Sequence, residues 1–115
     1  MTDKKISVAF FANDLGTEPV RVWLKGLDKA DRFKIGEYML AVEKDWPVGM
    51  PVCRPLGQGL YEVRIPLKDR IGRVMFAIEG RYMVVLHGFI KKSQATPKAD
   101  LELARKRLSI VRRKP

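Results

Sequence analysis

Hydrophobic and polar positions follow a helical spacing in the first half of this chain and a strict alternation after residue 60. Ile6 to Ala12 (Ile-Ser-Val-Ala-Phe-Phe-Ala) is rich in β-branched and aromatic residues and predicts a first strand, which Asn13-Asp14-Leu15-Gly16 breaks. Thr17 is placed to cap a short helix, with Pro19 near the first turn, where a missing N–H costs nothing. Val20, Trp23, Leu24 and Leu27 fall at i, i+3, i+4 and i+7 and give that helix one apolar face. Gly26 and Asp28 end it and begin a second, on which Ile35, Met39, Val42 and Trp46 recur at i, i+4, i+7 and i+11 until Pro47 stops the run. The two predict a helical hairpin, with Trp23, Phe33, Tyr38 and Trp46 in or near the core.

The stretch from Val48 to Gly59, with Gly49, Pro51, Pro55, Gly57 and Gly59, reads as a loop. Beyond it Leu60 to Ile65 alternates, placing Tyr61, Val63 and Ile65 on one side and Glu62 and Arg64 on the other. Arg73 to Ile78 alternates again, Gly80 turns the chain, and Tyr82 to Ile90 completes a predicted three-stranded antiparallel meander. Thr96-Pro97 is a cap-and-first-turn pair for a last helix, whose buried stripe is Leu101, Ala104, Leu108 and Val111. The order β-α-α-β-β-β-α defines an α+β class: a small antiparallel sheet, an N-terminal helical hairpin and a basic C-terminal helix. With no repeat and no flexible linker, residues 1–115 read as a single domain.

Charge narrows the function classes. The chain carries 23 Lys and Arg against 13 Asp and Glu, a formal net charge of +10. Residues 1–60 hold 9 bases and 8 acids, whereas residues 61–115 hold 14 bases and 5 acids. A one-sided excess points to a polyanionic partner, and nucleic acid fits better than anionic lipid, because no Trp or Phe accompanies the most basic segments. The longest apolar run, Met83 to Ile90, already contains His87 and Gly88 and falls short of the ~20 residues that cross a bilayer. No secretory leader opens the sequence, and the lone Cys53 cannot pair internally, so the expected compartment is the reducing cytoplasm, with no membrane partner.

The chemistry on offer is cationic. One histidine, one cysteine and scattered acids give no metal-ligand spacing, and Gly57-Gln58-Gly59 leads into a strand rather than a helix; no metal and no cofactor are expected. Arg64, Arg73, His87, Lys91 and Lys92 lie on the strands of the meander or at their ends. Cleavage within RNA needs little else, since the attacking 2′-hydroxyl belongs to the substrate. The protein has to align it, stabilise charge on the phosphorane oxygens and move two protons. Arginine's planar fork suits two such oxygens at once, and Lys or His can carry protons. Lys68, Arg70, Lys98, Arg105, Lys106, Arg107, Arg112, Arg113 and Lys114 form the expected footing on RNA or the ribosome. The plain alternative for each is a solvated cationic surface, and for His87 a structural hydrogen bond.

Gly59-Leu60-Tyr61-Glu62-Val63-Arg64, Arg73-Val74-Met75-Phe76, Val85-Leu86-His87-Gly88-Phe89-Ile90-Lys91-Lys92 and the Thr96-Pro97 entry to a basic helix resemble the RelE/HigB toxin superfamily, in its phage-derived HigB-type branch. The resemblance implies a microbial-RNase-type fold and the toxin of a type II toxin–antitoxin system. Its activity would be that of a ribosome-dependent mRNA endoribonuclease (mRNA interferase) working without metal. The implied partners are mRNA in the ribosomal A site and a cognate helix-turn-helix antitoxin. Arg73 matches the arginine that contacts the scissile phosphate. Arg64 matches a basic residue on the preceding strand, and Lys91 or Lys92 the one closing the last strand. His87 lies on the strand that carries catalytic residues in some relatives. Two departures stand out: Glu62 occupies a lysine position, and Ser93-Gln94-Ala95-Thr96 offers no catalytic tyrosine. They motivate the alternative of a degenerate module that binds RNA, the ribosome or an antitoxin without cutting.

Overall fold

Alternation after residue 60 becomes three long strands in the computed structural model, which describes residues 4–113. They are β3 (Leu60–Leu67), β4 (Arg70–Glu79) and β5 (Tyr82–Lys91), paired antiparallel in sequence order as the meander predicts. Preceding them are β1 (Ser7–Phe10), α1 (Pro19–Lys25), α2 (Lys29–Asp45) and β2 (Cys53–Gly57), and α3 (Lys98–Arg113) follows. The five strands form one sheet in the order β1-β5-β4-β3-β2.

Two strands change the expected sheet. β1 joins β5 in parallel, Ser7 opposite Tyr82 and Phe10 opposite Val85, so the sheet is mixed rather than wholly antiparallel. β2 forms where a loop is expected. It pairs antiparallel with β3 at the sheet edge, where Pro55 loses no ladder bond, and the register shifts between Pro55 and Gly57. Gly57, Gln58 and Gly59 then turn the chain through positive φ angles of 93°, 56° and 84°.

Both faces of the sheet are covered. On one, Ile35, Met39 and Val42 of α2 and Val20 of α1 bury against Val63, Ile65, Val74, Phe76 and Val85, as the helical stripes predict. Trp46 caps α2 and meets Tyr61 and Phe76 edge-on at 5.1 and 5.5 Å. Phe33 departs from expectation: it is 68% exposed, because it lies off the Ile35–Met39–Val42 stripe. The expected hairpin opens out, α1 packing on β5 and β1 and α2 on β3 and β1. Glu18 rather than Thr17 occupies the N-cap of α1, and Thr96 lies two residues before α3, its hydroxyl donating to Glu62. Glu43 of α2 is buried and ties down the start of the chain. Its Oε2 accepts the Val8 amide at 2.7 Å and its Oε1 lies 3.3 Å from Lys4 Nζ. On the opposite face Ala104 and Leu108 of α3 are buried against Leu60, Met75, Ala77 and Leu86, with Leu101 and Val111 packed beside them. Among the described residues no helix is long and apolar enough to cross a membrane.

Candidate functional site: a cationic cluster under the β5–α3 connection

Strand register builds the site row by row. Arg64 stands opposite Arg73, and Arg73 opposite Phe89. One row along, Arg54 of β2 stands opposite Glu62, Glu62 opposite Met75, and Met75 opposite His87. Period-two alternation puts these residues on the α3 face. A register shift after Met75, which pairs with His87 while Phe76 pairs with Val85, leaves Leu86 as the extra residue of a bulge. Gly88 permits this strand its position. A methyl group there would come within 2.6 Å of Trp23 Cε3, so only glycine lets α1 lie this close to β5.

Arg73, for which the sequence suggests contact with the scissile phosphate or a solvated surface, is fully buried. Its Nη2 donates to the Ser93 carbonyl, its Nε lies 4.0 Å from Glu62 Oε2, and its guanidinium carbon sits 5.4 Å from the centre of the Phe89 ring. Among the described residues its Nε and Nη1 have no hydrogen-bond acceptor. Burial pushes the Arg73 pKa down, Glu62 opposes that shift, and the neighbouring Arg64 and Arg54 add to it. Arg64, 17% exposed, donates through Nη2 to the Gln94 carbonyl at 3.1 Å and to Gln94 Oε1 at 2.8 Å, with its Nε 4.0 Å from Glu62 Oε1. Glu62 is itself fully buried; its Oε2 accepts from the Thr96 hydroxyl at 2.8 Å, and among the described residues its Oε1 has no donor. The connection from β5 to α3 thus lies across both arginines, and its oxygens occupy the Nη2 group of each.

Beside this group is a second one that can carry protons. The Nε2–H of His87 donates to Asp100 Oδ1 at 2.6 Å, and Lys91 Nζ lies 3.5 Å from Asp100 Oδ2. Phe89 stacks on His87 at 5.5 Å and also underlies Lys91 at 5.9 Å. Asp100 therefore orients the ring, and among the described residues Nδ1 of His87 makes no hydrogen bond. Lys92 is exposed at the strand end, outside the cluster.

The remaining expected RNA contacts divide in two. Arg105 donates to the Leu56 carbonyl at 2.7 Å, and Arg112 to the Gln58 carbonyl at 3.0 Å, so both hold the β2–β3 turn against α3. Arg107 donates to the Leu86 carbonyl at 2.7 Å and is partly buried, which pushes its pKa down. Arg70 pairs with Asp31 at 2.8 Å, and Lys98 lies 3.8 Å from Glu102. Lys68, Lys106 and Arg113 are exposed, and Lys114 lies outside the described residues. Sequence reasoning missed Arg54, whose strand was read as a loop, and Asp100, which reads as an ordinary acid in a first helical turn. Glu62 counts in the sequence only as a departure, although an acid two positions from Arg64 on the same strand face is the signal of an ionic partner.

The architecture is an α+β domain of three helices on a five-stranded mixed sheet, with paired arginines and a His–Asp–Lys group under the entry to α3. The profile of the family described as phage derived protein Gp49-like (DUF891) matches residues 22–109, and the chain belongs to that family, one of toxin–antitoxin toxins related to the RelE/HigB type. The match runs from α1 into α3 and includes Arg54, Glu62, Arg64, Arg73, His87, Lys91 and Asp100. A comparison with individually curated proteins gave no match.

Proposed function

We propose that this protein is the toxin of a type II toxin–antitoxin pair and acts as a ribosome-dependent mRNA endoribonuclease. The observation that carries the reading is the juxtaposition of Arg64 and Arg73, register partners on β3 and β4, with the His87–Asp100–Lys91 group on the next strand and α3. In the reaction the substrate 2′-oxygen loses its proton and bonds to the adjacent phosphorus. The bond from phosphorus to the 5′-oxygen breaks, and that oxygen takes up a proton, leaving a 2′,3′-cyclic phosphate and a 5′-hydroxyl. Arg64 and Arg73 hold the phosphorane oxygens, which replace the Ser93 and Gln94 carbonyls as acceptors. His87 and Lys91 are the two proton carriers, and Asp100 positions both. The exposed Lys68, Lys106 and Arg113 attract the polyanion. The antitoxin, in this reading a helix-turn-helix protein, covers the cationic face with acidic or apolar residues.

A second reading, a module that binds RNA or antitoxin without cutting, is favoured by the complete burial of Arg73 behind Ser93. Induction in growing bacteria with mapping of mRNA 5′ ends separates the two. Wild type is expected to generate new in-frame ends on translated messages, and Arg64→Ala to lower their rate of appearance by about 10²–10³. Arg64 is the better probe than Arg73 because it is partly exposed and its loss leaves the core intact. Absence of new ends with wild type would establish the binding module instead.

A further inference from the structure

Beyond the arginine pair, a cavity of about 370 Å³ opens at the end of the sheet. Pro51, Val52, Pro66 and Ile71 supply apolar walls, and Tyr38 of α2 is its one aromatic ring. Arg64 and Gln94 form one side, so the cavity adjoins the arginine already assigned to the phosphate, and Arg70 contributes a second cation. No acidic residue lines it. A second cavity under α2 is larger, about 530 Å³, and shares Tyr38 and Val52, but its Glu37 and Asp45 outnumber its one cation, Lys34, and disfavour an anion.

We infer that the cavity lined by Tyr38, Ile71, Arg64 and Gln94 is a nucleobase subsite, holding a base next to the phosphate that Arg64 grips. The inference rests on the RNA-cleaving reading and specifies what that site recognises besides phosphate. Four features fit a base and its backbone together. The volume lies in the range of small-ligand sites, about 300–1,000 Å³. A flat aromatic ring among apolar walls suits the face of a heterocycle. The side-chain amide of Gln94 can hydrogen-bond a base edge; its oxygen holds Arg64 at 2.8 Å, and among the described residues its NH₂ group makes no hydrogen bond. Because Arg64 belongs to both the cavity and the arginine pair, one nucleotide can place its phosphate on the cations and its base against Tyr38.

The test is calorimetric titration of the purified full chain with a 2′-O-methyl trinucleotide, which cannot be cut, and with the same backbone lacking bases. Wild type is expected to bind the base-bearing probe more tightly. Tyr38→Ala should remove about tenfold or more of that preference, the size expected for one lost base–aromatic stack. Tyr38→Phe should retain the preference, and the abasic probe should bind all three proteins alike. Should Tyr38→Ala fail to fold, the Tyr38 ring resonances of wild type decide, since they must move with the base-bearing probe and stay in place with the abasic one. Equal binding of both probes, with unmoved resonances, overturns the subsite and leaves the RNA reading standing. Binding of neither probe at millimolar concentration also overturns the subsite, and the ribosome-dependent reading is then decided by the mapped mRNA 5′ ends.

Discussion

Glu62→Gln, taken through a double-mutant cycle with Arg73→Met, measures what holds a fully buried arginine inside so small a sheet. Glu62 Oε2 lies 4.0 Å from Arg73 Nε, and Oε1 lies 4.0 Å from Arg64 Nε. Unit charges at 4 Å attract by about 4 kcal/mol at an effective dielectric constant near 20. Arg64 is partly open to water, which screens its share, so the Arg73 interaction dominates. Glutamine preserves side-chain length and an acceptor for the Thr96 hydroxyl while deleting the charge. It leaves a buried guanidinium whose Nε and Nη1 have no acceptor. Removing one partner of a buried pair costs about 3–5 kcal/mol. The retained amide places Glu62→Gln near the lower end, at about 3 kcal/mol. Arg73→Met leaves Glu62 with the partly exposed Arg64 and the Thr96 hydroxyl, and should cost somewhat less. The double variant should then be less destabilised than the two single losses added together, by about 2 kcal/mol or more. Urea unfolding at neutral pH, with unchanged m-values, reads all four proteins. A Glu62→Gln effect within about 0.5 kcal/mol of wild type, or a coupling near zero, would refute the reasoning. Arg73 would then be held by Ser93 and Phe89 alone.

Two further outcomes follow from other parts of the fold. Burial on β2 pushes the Cys53 thiol from 9.0 up to about 11. A raised folded-state value means the stabilisation is complete below pH 9 and lost as pH climbs through 11, by about 2–3 kcal/mol. Wild type should therefore lose more stability between pH 8 and 11 than Cys53→Ala, and parallel losses would show that the thiol is not shielded. Gly88→Ala drives a methyl group into Trp23 and should cost about 1–3 kcal/mol by thermal or urea unfolding. Adding Trp23→Leu should restore part of that loss, and no restoration would mean that strain elsewhere in β5 is responsible.

The parts that could be read from sequence are those where one period governs. Val63, Ile65, Val74, Phe76 and Val85 alternate, and Ala104 and Leu108 sit on a single stripe, so the meander and the last helix emerge directly. β2 does not emerge, because Pro55 and Gly57 carry loop chemistry that an edge position tolerates, and Arg54 is hidden with it. The parallel β1–β5 pairing is equally silent, since nothing local in Ser7 to Phe10 specifies its neighbour. In the candidate site the cations are visible as types, but their partners are not. Glu62 and Asp100 reach Arg73 and His87 only through register and the docking of α3. The division of the basic helix into structural arginines, Arg105 and Arg112, and exposed cations, Lys106 and Arg113, depends on where the β2–β3 turn falls.

The long-range pairing of β1 has a consequence for synthesis. Ser7 to Phe10 leave the ribosome about seventy-five residues ahead of Tyr82 to Val85, their strand partner among the described residues. Contacts so distant in sequence form late and slowly, so α1 and α2 emerge with no sheet to bury against. The ionic groups assemble later still, because Ser93, Thr96 and Asp100 come after the last strand. A protein proposed to act on translating ribosomes therefore has no folded site until the chain has been made through Asp100. The strand order itself delays completion of the candidate site until the nascent chain has reached α3.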